Sequence, residues 1–277
     1  MAKSKYLASP LKWAGSKAKV LDKLLPILEK YKADGFCEPF VGACNVSLNF
    51  DSKFYMWNDL NSDVINTYIS ILNFPDLYKT LCTNLFANGF DVYYEIRDEF
   101  NKCSPVDINR GSAIRAALFQ YLNKHGFNGL CRFNKAGKFN VPVGTATKSK
   151  NVPIEQIDNI SKLFKDKFVS LDSLSFEEIF EKVEKHQDFL IYSDPPYVPI
   201  TTDFNYTAEG FDWEQQLKLK ELSKASKHVA IISNHWTPLT EELYSDADEI
   251  HVFDVQRTIS CDGNNRKRVQ ECIVVYK

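Results

Sequence analysis

The sequence predicts an α/β protein built on a doubly wound, largely parallel sheet that is interrupted by a mainly helical insertion. Two observations predict the sheet. Short apolar runs alternate with amphipathic helical patterns in both terminal parts of the chain, and several of these runs end in Gly, Pro, Asn or Asp. A third observation predicts the insertion, because residues 61 to about 160 carry successive helical patterns without intervening strands. At 277 residues and 44% hydrophobic residues, the chain suits one large domain or two smaller ones.

Charge is distributed unevenly along this chain. The formal net charge is −2 at pH 7, which by itself does not favour a nucleic-acid partner. Residues 110–150, however, contain eight Lys or Arg and no Asp or Glu, which leaves a net charge of −10 on the remainder. A basic segment on an acidic body indicates a surface for a polyanion. The alternative is a solvated loop in which lysines are frequent by chance.

The seven cysteines indicate neither a disulfide framework nor a zinc site, because their number is odd and no C-x-x-C occurs. We expect buried thiols in a reducing compartment and no metal. The N-terminus lacks the apolar core of a signal peptide, and no apolar run is long enough to span a membrane. The predicted location is therefore cytoplasmic.

The first two predicted strands carry the signs of a nucleotide site. A short strand ends at Glu38-Pro39, Gly42 then permits a tight turn, and a helix is predicted over 45–50. Strand, glycine turn and helix form the first unit of a Rossmann-like fold. The next strand, 54–57, leads to Asp59, at the position where such folds bind a ribose diol. Together, Gly42 and Asp59 predict a cofactor that contains a nucleoside.

An entry loop and a helical insertion surround this unit. The loop 9–17 contains Trp13 and two lysines, which could hold a ligand with a ring and a carboxylate, although a loop Trp can equally be a packing residue. It precedes a helix predicted over 20–31. In the insertion, helices are predicted over 63–72, 76–86, 92–100 and 112–124. They lead to a segment rich in Gly, Asn and aromatics, predicted as a β-hairpin over about 125–145.

Asp194-Pro195-Pro196-Tyr197 follows a buried strand predicted over 189–193. Ligands of open α/β sheets bind at the carboxyl ends of strands, so we expect this tetrapeptide to lie at a site. Its prolines make a stiff turn. The Asp194 carboxylate beside the Pro195 carbonyl offers two acceptors, which suit an NH2 group, and Tyr197 offers a face for a planar ring. The alternative is a proline-rich strand exit with a capping Asp.

The remaining elements complete the predicted sheet. Strands are expected over 168–171, 229–233, 250–255 and 272–276, with helices over 176–183 and from the cap Asp212 to about Ser226. We detect no internal repeat.

Four stretches in this order carry a family resemblance: Leu11–Lys17, Glu38–Gly42, Asn123–Gly144 and Asp194–Tyr197. They resemble the DNA adenine methyltransferase (Dam) family, whose members methylate adenine N6 in GATC. Asp-Pro-Pro-Tyr is shared by many amino-methyltransferases, whereas Asn-Gly-Leu-Cys-Arg-Phe-Asn with a downstream Phe-Asn-Val-Pro is far more specific. The resemblance extends over nearly the whole chain.

The resemblance implies a class I methyltransferase with S-adenosyl-L-methionine as methyl donor and double-stranded DNA as partner, in the cytoplasm of a bacterium or of the host of a virus. We expect a monomer in solution. It implies a catalytic domain of residues 1–60 and 161–277 and a helical target-recognition domain of residues 61–160. Three sets of residues follow from it. The catalytic residues are Asp194, Pro195, Pro196 and Tyr197; the cofactor-binding residues are Trp13, Lys17, Phe40, Gly42, Asp59 and Asp194; and the DNA-facing residues are Lys12, Phe127, Asn128, Leu130, Arg132 and Pro142.

Two positions depart from the family pattern. Cys44 stands where a second glycine is usual, and Phe127 where a tyrosine is common. Since neither changes Asp194 or Tyr197, we expect methyl transfer with base flipping. Two alternatives stay open: the same chemistry on another DNA sequence or on RNA, and a catalytically silent DNA-binding regulator.

Overall fold

The computed structural model describes residues 5–104, 111–145, 150–198, 211–256 and 268–277. Within these residues, seven strands form one sheet: β1 (Gly35–Glu38), β2 (Phe54–Asn58), β3 (Phe168–Asp172), β4 (Phe189–Ser193), β5 (Val229–His235), β6 (Glu249–Gln256) and β7 (Arg268–Tyr276). Their order in the sheet is β3-β2-β1-β4-β5-β7-β6. Strand β1 pairs in parallel with β2 and β4, and β4 with β5, whereas β7 is antiparallel to β5 and β6. The predicted Rossmann-like α/β class is confirmed.

The described residues also contain nine α-helices. They are α1 (Leu21–Lys30), α2 (Ser62–Asn73), α3 (Pro75–Phe86), α4 (Tyr93–Lys102), α5 (Ala113–His125), α6 (Ile154–Leu163), α7 (Phe176–Val183), α8 (Trp213–Ala225) and α9 (Pro238–Leu243). Helices α6 and α9 were not predicted individually. The others begin and end within a few residues of the predicted bounds, and Asp212 caps α8 as expected, because its Oδ1 accepts the Gln215 N–H at 2.9 Å.

The prediction of a helix over residues 45–50 is wrong: the segment forms successive hydrogen-bonded turns. The Asn49 side chain explains the difference. Its Nδ2 donates to the Asn45 carbonyl at 2.8 Å, which in a helix would accept the Asn49 backbone N–H. That N–H instead reaches Val46 O at 2.9 Å. The same side chain bonds both backbone groups of Leu7, so side-chain competition ends the helical pattern.

Two compact units are defined by the contacts within the chain. The first comprises Met1–Lys19, Gly42–Asp51 and Asp59–Ser173, and the second Val20–Val41, Ser52–Asn58 and Leu174–Lys277. The first contains α2 to α6, and ten of the thirteen residues of α5 are buried. The predicted boundaries at residues 60 and 160 stay a prediction.

In the second unit, one apolar core lies around β4. All five β4 residues and all four β1 residues are buried. Ile179 and Phe180 of α7 and Leu219 of α8 pack in the same cluster as Ile191 of β4. Strands covered on both faces read as continuous apolar runs, which is why β4 was recognisable. Asp194, which directly follows β4, is therefore anchored to a fully buried strand.

The 125–145 segment, called the 125–145 loop below, forms a hairpin that is paired only locally. Antiparallel bridges join Gly126 to Val143 and Phe133 to Phe139, and a short 3-10 turn spans Phe127–Gly129. Within the described ranges, no helix is long and apolar enough to cross a membrane. The same residues contain no group of three or more His, Cys, Asp or Glu that could hold a metal ion.

Candidate active site

Gly42 and Trp13 meet in the first unit. Gly42 has a φ of +43°, which favours glycine, and a Cβ at this position would lie 2.8 Å from Trp13 Nε1. The Tyr68 hydroxyl donates to the Gly42 carbonyl at 2.8 Å. The indole therefore lies directly against the bare backbone, and any side chain at position 42 would displace it. The structure therefore brings together Trp13 and Gly42, two residues predicted separately as cofactor-binding.

Asp59 is bound by two backbone amides. Its Oδ2 accepts the Gly42 N–H at 3.0 Å and its Oδ1 the Asn61 N–H at 2.9 Å. Burial raises the pKa of this carboxyl to about 6, although the two N–H groups act in the opposite direction. The carboxylate that the sequence predicts as a ribose ligand therefore lies beside the glycine turn.

Three other positions that are predicted to lie at or near the cofactor have different surroundings. Lys17 is buried, and its Nζ donates to the Gly15 carbonyl at 2.8 Å within the entry loop. Phe40, in the second unit, packs against Phe176 and Phe211 with ring centroids 5.8 and 5.5 Å apart. Cys44 is buried with a φ of 56°, the left-handed region that a glycine would occupy without strain.

The second unit contains the Asp194–Tyr197 segment, which a network of amide side chains holds. Gln216 Nε2 donates to the Pro196 carbonyl at 2.8 Å, and Asn234 Oδ1 accepts the Val198 N–H at 3.1 Å. Asn234 Nδ2 in turn donates to Gln216 Oε1 at 3.1 Å and to the Tyr244 hydroxyl at 3.0 Å. We call Gln216 and Asn234 the amide clamp. A buried, mutually satisfied network of this kind fixes the backbone that it contacts.

Tyr197 has polar and aromatic neighbours on the second unit. Its hydroxyl donates to Glu271 Oε2 at 3.3 Å, and its ring meets His235 edge-on with centroids 4.7 Å apart. His235 Nδ1 donates to the Val198 carbonyl at 2.9 Å. Burial, as the main cause, and the negative charge of Asp194, as the second, raise the pKa of Tyr197 well above its usual value. The phenol is therefore neutral. Its ring orientation is therefore set from both ends.

The DNA-facing residues predicted in the first unit lie on or beside the 125–145 loop. Phe127 and Leu130 are exposed apolar side chains, and Asn128 has a left-handed φ of 53°, which Asn tolerates well. Lys12 is fixed by Asn123, whose side chain bonds both its N–H and its carbonyl at 2.8 and 2.7 Å. A Cβ on Gly129 would lie 2.4 Å from the Lys12 side chain, so Lys12 packs against the turn of the loop.

Arg132 is oriented across the hairpin by a residue that the sequence did not identify. Its Nε donates to Asn140 Oδ1 at 2.8 Å, while the Asn140 N–H donates to the Arg132 carbonyl at 3.1 Å. Pro142 is exposed, and its carbonyl accepts the Phe127 N–H at 2.9 Å. The hairpin thus presents Arg132 in a defined direction.

The basic residues of the segment 110–150 have different surroundings in the structure. Arg115 is internal, since it pairs with Asp63 and both side chains are nearly buried. Burial, and after it the positive charges of Lys12 and Lys150, lower the pKa of Lys124 to about 8. Lys12, Lys124 and Lys150 therefore form one basic cluster. Of the remaining positions, Arg110 and Lys148 lie outside the described residues.

The amide clamp was missed because no local pattern marks it. Gln216 lies inside α8 and precedes Asn234 by 18 residues. The sequence feature that could have indicated the clamp is the position of Asn234, a polar residue near the carboxyl end of a buried strand.

Comparison with known proteins gives a consistent result. A family model described as D12 class N6 adenine-specific DNA methyltransferase matches residues 13–259. A relative from Escherichia coli strain K12, named DNA adenine methylase, is 38% identical over 277 residues, which cover 96% of this chain and 94% of the relative. Relatives with the same name from Salmonella typhi and Vibrio cholerae are 37% and 35% identical over 276 residues. These alignments cover 96% of this chain and 94% and 95% of the relatives.

Proposed function

The chain belongs to the D12 class of N6 adenine-specific DNA methyltransferases, and from this premise we propose that it transfers the methyl group of S-adenosyl-L-methionine to adenine N6 in GATC sites of double-stranded DNA. The target nitrogen lies inside a base pair, so the proposal includes flipping of the adenine out of the helix, at a cost of a few kcal/mol. The observation that carries the proposal is the Asp194-Pro195 acceptor pair, which follows β4 directly and adjoins the backbone held by the amide clamp.

The acceptor pair suits an exocyclic amine. The Asp194 carboxylate and the Pro195 carbonyl would each accept one amine hydrogen, because neither group can donate. Two such bonds would favour a pyramidal nitrogen whose lone pair is free to attack. Catalysis would then consist mainly of orientation and fixed electrostatics, since the clamp already holds the backbone of this turn at Pro196 and Val198.

The first unit contains features that fit the proposed cofactor. The bare backbone of Gly42 gives close access beside the Trp13 indole, and the Asp59 carboxylate suits a ribose diol. Lys17 would pair with the carboxylate of the methionine moiety, and Phe40 and Asp194 complete the proposed set. When bound, S-adenosyl-L-methionine supplies an electrophilic methyl group on a sulfonium centre.

Recognition would combine stacking with readout of base edges. The Tyr197 ring would stack on the flipped adenine, an interaction that typically contributes about 1–3 kcal/mol. Arg132 and Lys12 have the chemistry to read guanine O6 and N7, whereas Leu130 and Pro142 can contact thymine methyl groups. Phe127 and Asn128 would contact bases beside them. GATC is supported by the resemblance of this loop to the family pattern and by the relatives named DNA adenine methylase.

A methyl-transfer assay tests the proposal. Labelled S-adenosyl-L-methionine would be incubated with a GATC duplex, with duplexes carrying one substituted base pair, and with RNA of the same sequence. We expect transfer to the GATC duplex alone, with the label on adenine N6. Transfer to another duplex or to RNA would establish the corresponding alternative, and binding without transfer would establish the silent regulator. The monomeric state and the cytoplasmic location stay predictions.

A further inference from the structure

Asn61 contacts both Asp59, the proposed ribose-binding residue, and the 125–145 loop. Its backbone N–H donates to Asp59 Oδ1 at 2.9 Å, and its side-chain Nδ2 donates to Cys131 Sγ at 3.3 Å. Burial raises the pKa of Cys131 to about 12, so the sulfur is a neutral thiol that can accept this bond. Cys131 lies between Leu130 and Arg132, whose side chains are exposed. One residue therefore joins the ribose-binding candidate to the DNA-facing segment within the first unit.

Asn61 cannot move independently of α2. Its Oδ1 accepts the Asp63 N–H at 3.0 Å and caps the helix. The Asp63 carboxylate then receives two bonds from Arg115, at 2.6 and 3.0 Å. Such a nearly buried bidentate pair is rigid in geometry. A displacement of the Asn61 backbone would therefore be passed to its side chain and to the start of α2.

A second set of contacts leads from Arg115 to the hairpin. Arg115 Nη1 donates to the Phe100 carbonyl at 3.2 Å, and the guanidinium lies 4.1 Å from the centre of the Phe100 ring. Phe100 packs against Phe133 and Phe139, with ring centroids 6.4 and 5.9 Å apart. The start of α2 thus contacts the hairpin at Cys131 and, through Arg115 and Phe100, at both aromatic residues of its bridge.

We propose that Asn61 and Cys131 are positioning residues that couple cofactor binding at Asp59 to DNA recognition by the 125–145 loop. This inference rests on the proposed function. A ribose diol would donate to the same carboxylate that accepts the Asn61 N–H. A ribose bound to Asp59 would therefore alter the hydrogen bond that holds the Asn61 backbone. The link to Cys131 extends that effect to the backbone between Leu130 and Arg132. Cofactor binding then favours the loop geometry that reads cognate DNA.

A thermodynamic cycle on the full-length chain measures this coupling. The dissociation constant of a GATC duplex would be determined with and without saturating S-adenosyl-L-homocysteine, which binds without reacting. The ratio of the two constants is the coupling factor, which for coupled sites is typically about 5 to 150. Linkage requires that the duplex improves the affinity for S-adenosyl-L-homocysteine by the same factor, which provides an internal check.

Two variants interrupt the link at different atoms. Asn61→Ser keeps a capping hydroxyl for α2 but is too short to reach Cys131. Cys131→Ala removes the acceptor, whereas Cys131→Ser retains one. We expect Asn61→Ser and Cys131→Ala to lower the coupling factor at least about threefold, while the affinity for S-adenosyl-L-homocysteine alone stays within about twofold of wild type. Cys131→Ser should retain most of the coupling. Cys103→Ala should leave it unchanged, because Cys103, a partly buried cysteine, contacts Arg115 through its carbonyl, which the substitution keeps.

The outcomes separate this inference from the proposed function. An undiminished coupling factor in both Asn61→Ser and Cys131→Ala, or a wild-type factor near one, overturns the inference and leaves the methyltransferase proposal standing. A wild-type chain that does not bind S-adenosyl-L-homocysteine overturns both. An equal loss of coupling in Cys103→Ala would show that loosened packing, and not the Asn61–Cys131 contact, is responsible, and it would also overturn the inference.

Discussion

The Asp59 carboxylate accepts the backbone N–H of Gly42 at 3.0 Å, although the two residues are 17 positions apart in the chain. Gly42 follows β1 and Asp59 follows β2, and these strands pair in parallel. A turn that needs glycine is thereby joined to a carboxyl whose pKa burial raises to about 6. Three predictions follow from this pair.

Asp59→Ala should weaken binding of S-adenosyl-L-homocysteine by about 10- to 100-fold, because it removes charge-assisted hydrogen bonds to the ribose. In the wild type, affinity should fall as the pH drops below about 6, since protonation removes the charge. The variant should lack this pH dependence. Calorimetric titration between pH 5 and 8 measures both effects, and DNA affinity without cofactor serves as the control. An unchanged dissociation constant would contradict the role of Asp59.

Asp59→Asn should change how stability depends on pH. The folded pKa of about 6 exceeds the usual value of 3.8, so the folded state binds more protons between these values. The associated stability is present below pH 3.8 and is lost as the pH rises through about 6. The free energy of unfolding of the wild type, relative to the non-titrating variant, should therefore fall by up to about 3 kcal/mol across this window. Urea unfolding at several pH values measures this difference, and a constant difference would contradict the raised pKa.

Gly42→Ala should destabilise the protein and weaken cofactor binding. The new Cβ would combine a left-handed φ of +43° with a contact 2.8 Å from Trp13 Nε1. Gly137→Ala is a matched control, because Gly137 has a φ of +70° but no atom within 4 Å of the added Cβ. We expect Gly137→Ala to cost about 1–2 kcal/mol from backbone strain alone. Gly42→Ala should cost more and, unlike the control, reduce cofactor affinity at least about tenfold. Equal losses in the two variants would show that the Trp13 contact is unimportant.

Asp194→Ala should abolish methyl transfer while cofactor and DNA binding stay measurable, because the variant removes one of the two acceptors for the target amine. Single-turnover kinetics with the cofactor and duplex both saturating isolate the chemical step from binding. A rate within about tenfold of wild type, equivalent to about 1.4 kcal/mol, would contradict the acceptor role.

Arg132→Ala should reduce discrimination for GATC by about 1–3 kcal/mol, because a guanine reader loses its bidentate contact. Asn140→Ala should give a smaller change in the same direction, since Asn140 orients the Arg132 side chain. Lys135→Ala is the control from the same loop, for which we expect uniform weakening on all DNA and a smaller salt dependence. Methylation rates on GATC and on singly substituted sites distinguish these patterns. If Arg132→Ala lowers the methylation rates on all sites equally, Arg132 contacts the DNA backbone and does not read guanine.

Local sequence patterns were sufficient where a single element decides the structure. The continuous apolar run of β4 predicted a buried strand, because a strand covered on both faces requires apolar residues at successive positions. Asp212 predicted the start of α8, because capping requires a particular residue type at the first position of a helix. The helix over 45–50 failed for the opposite reason. Asn49 bonds Leu7, 42 positions away, and takes the Asn45 carbonyl with its side chain.

The sequence by itself determined the α/β class, the strand that leads to Asp194, and the family to which the motifs belong. Tertiary structure alone decided which groups fix those motifs in place. The amide clamp, the Asn140 contact to Arg132 and the Asn61 contact to Cys131 each join residues that are separated by 8 to 70 positions. Hydrogen bonds between distant side chains leave no periodic pattern in a sequence, because their geometry exists only after the strands and helices have packed.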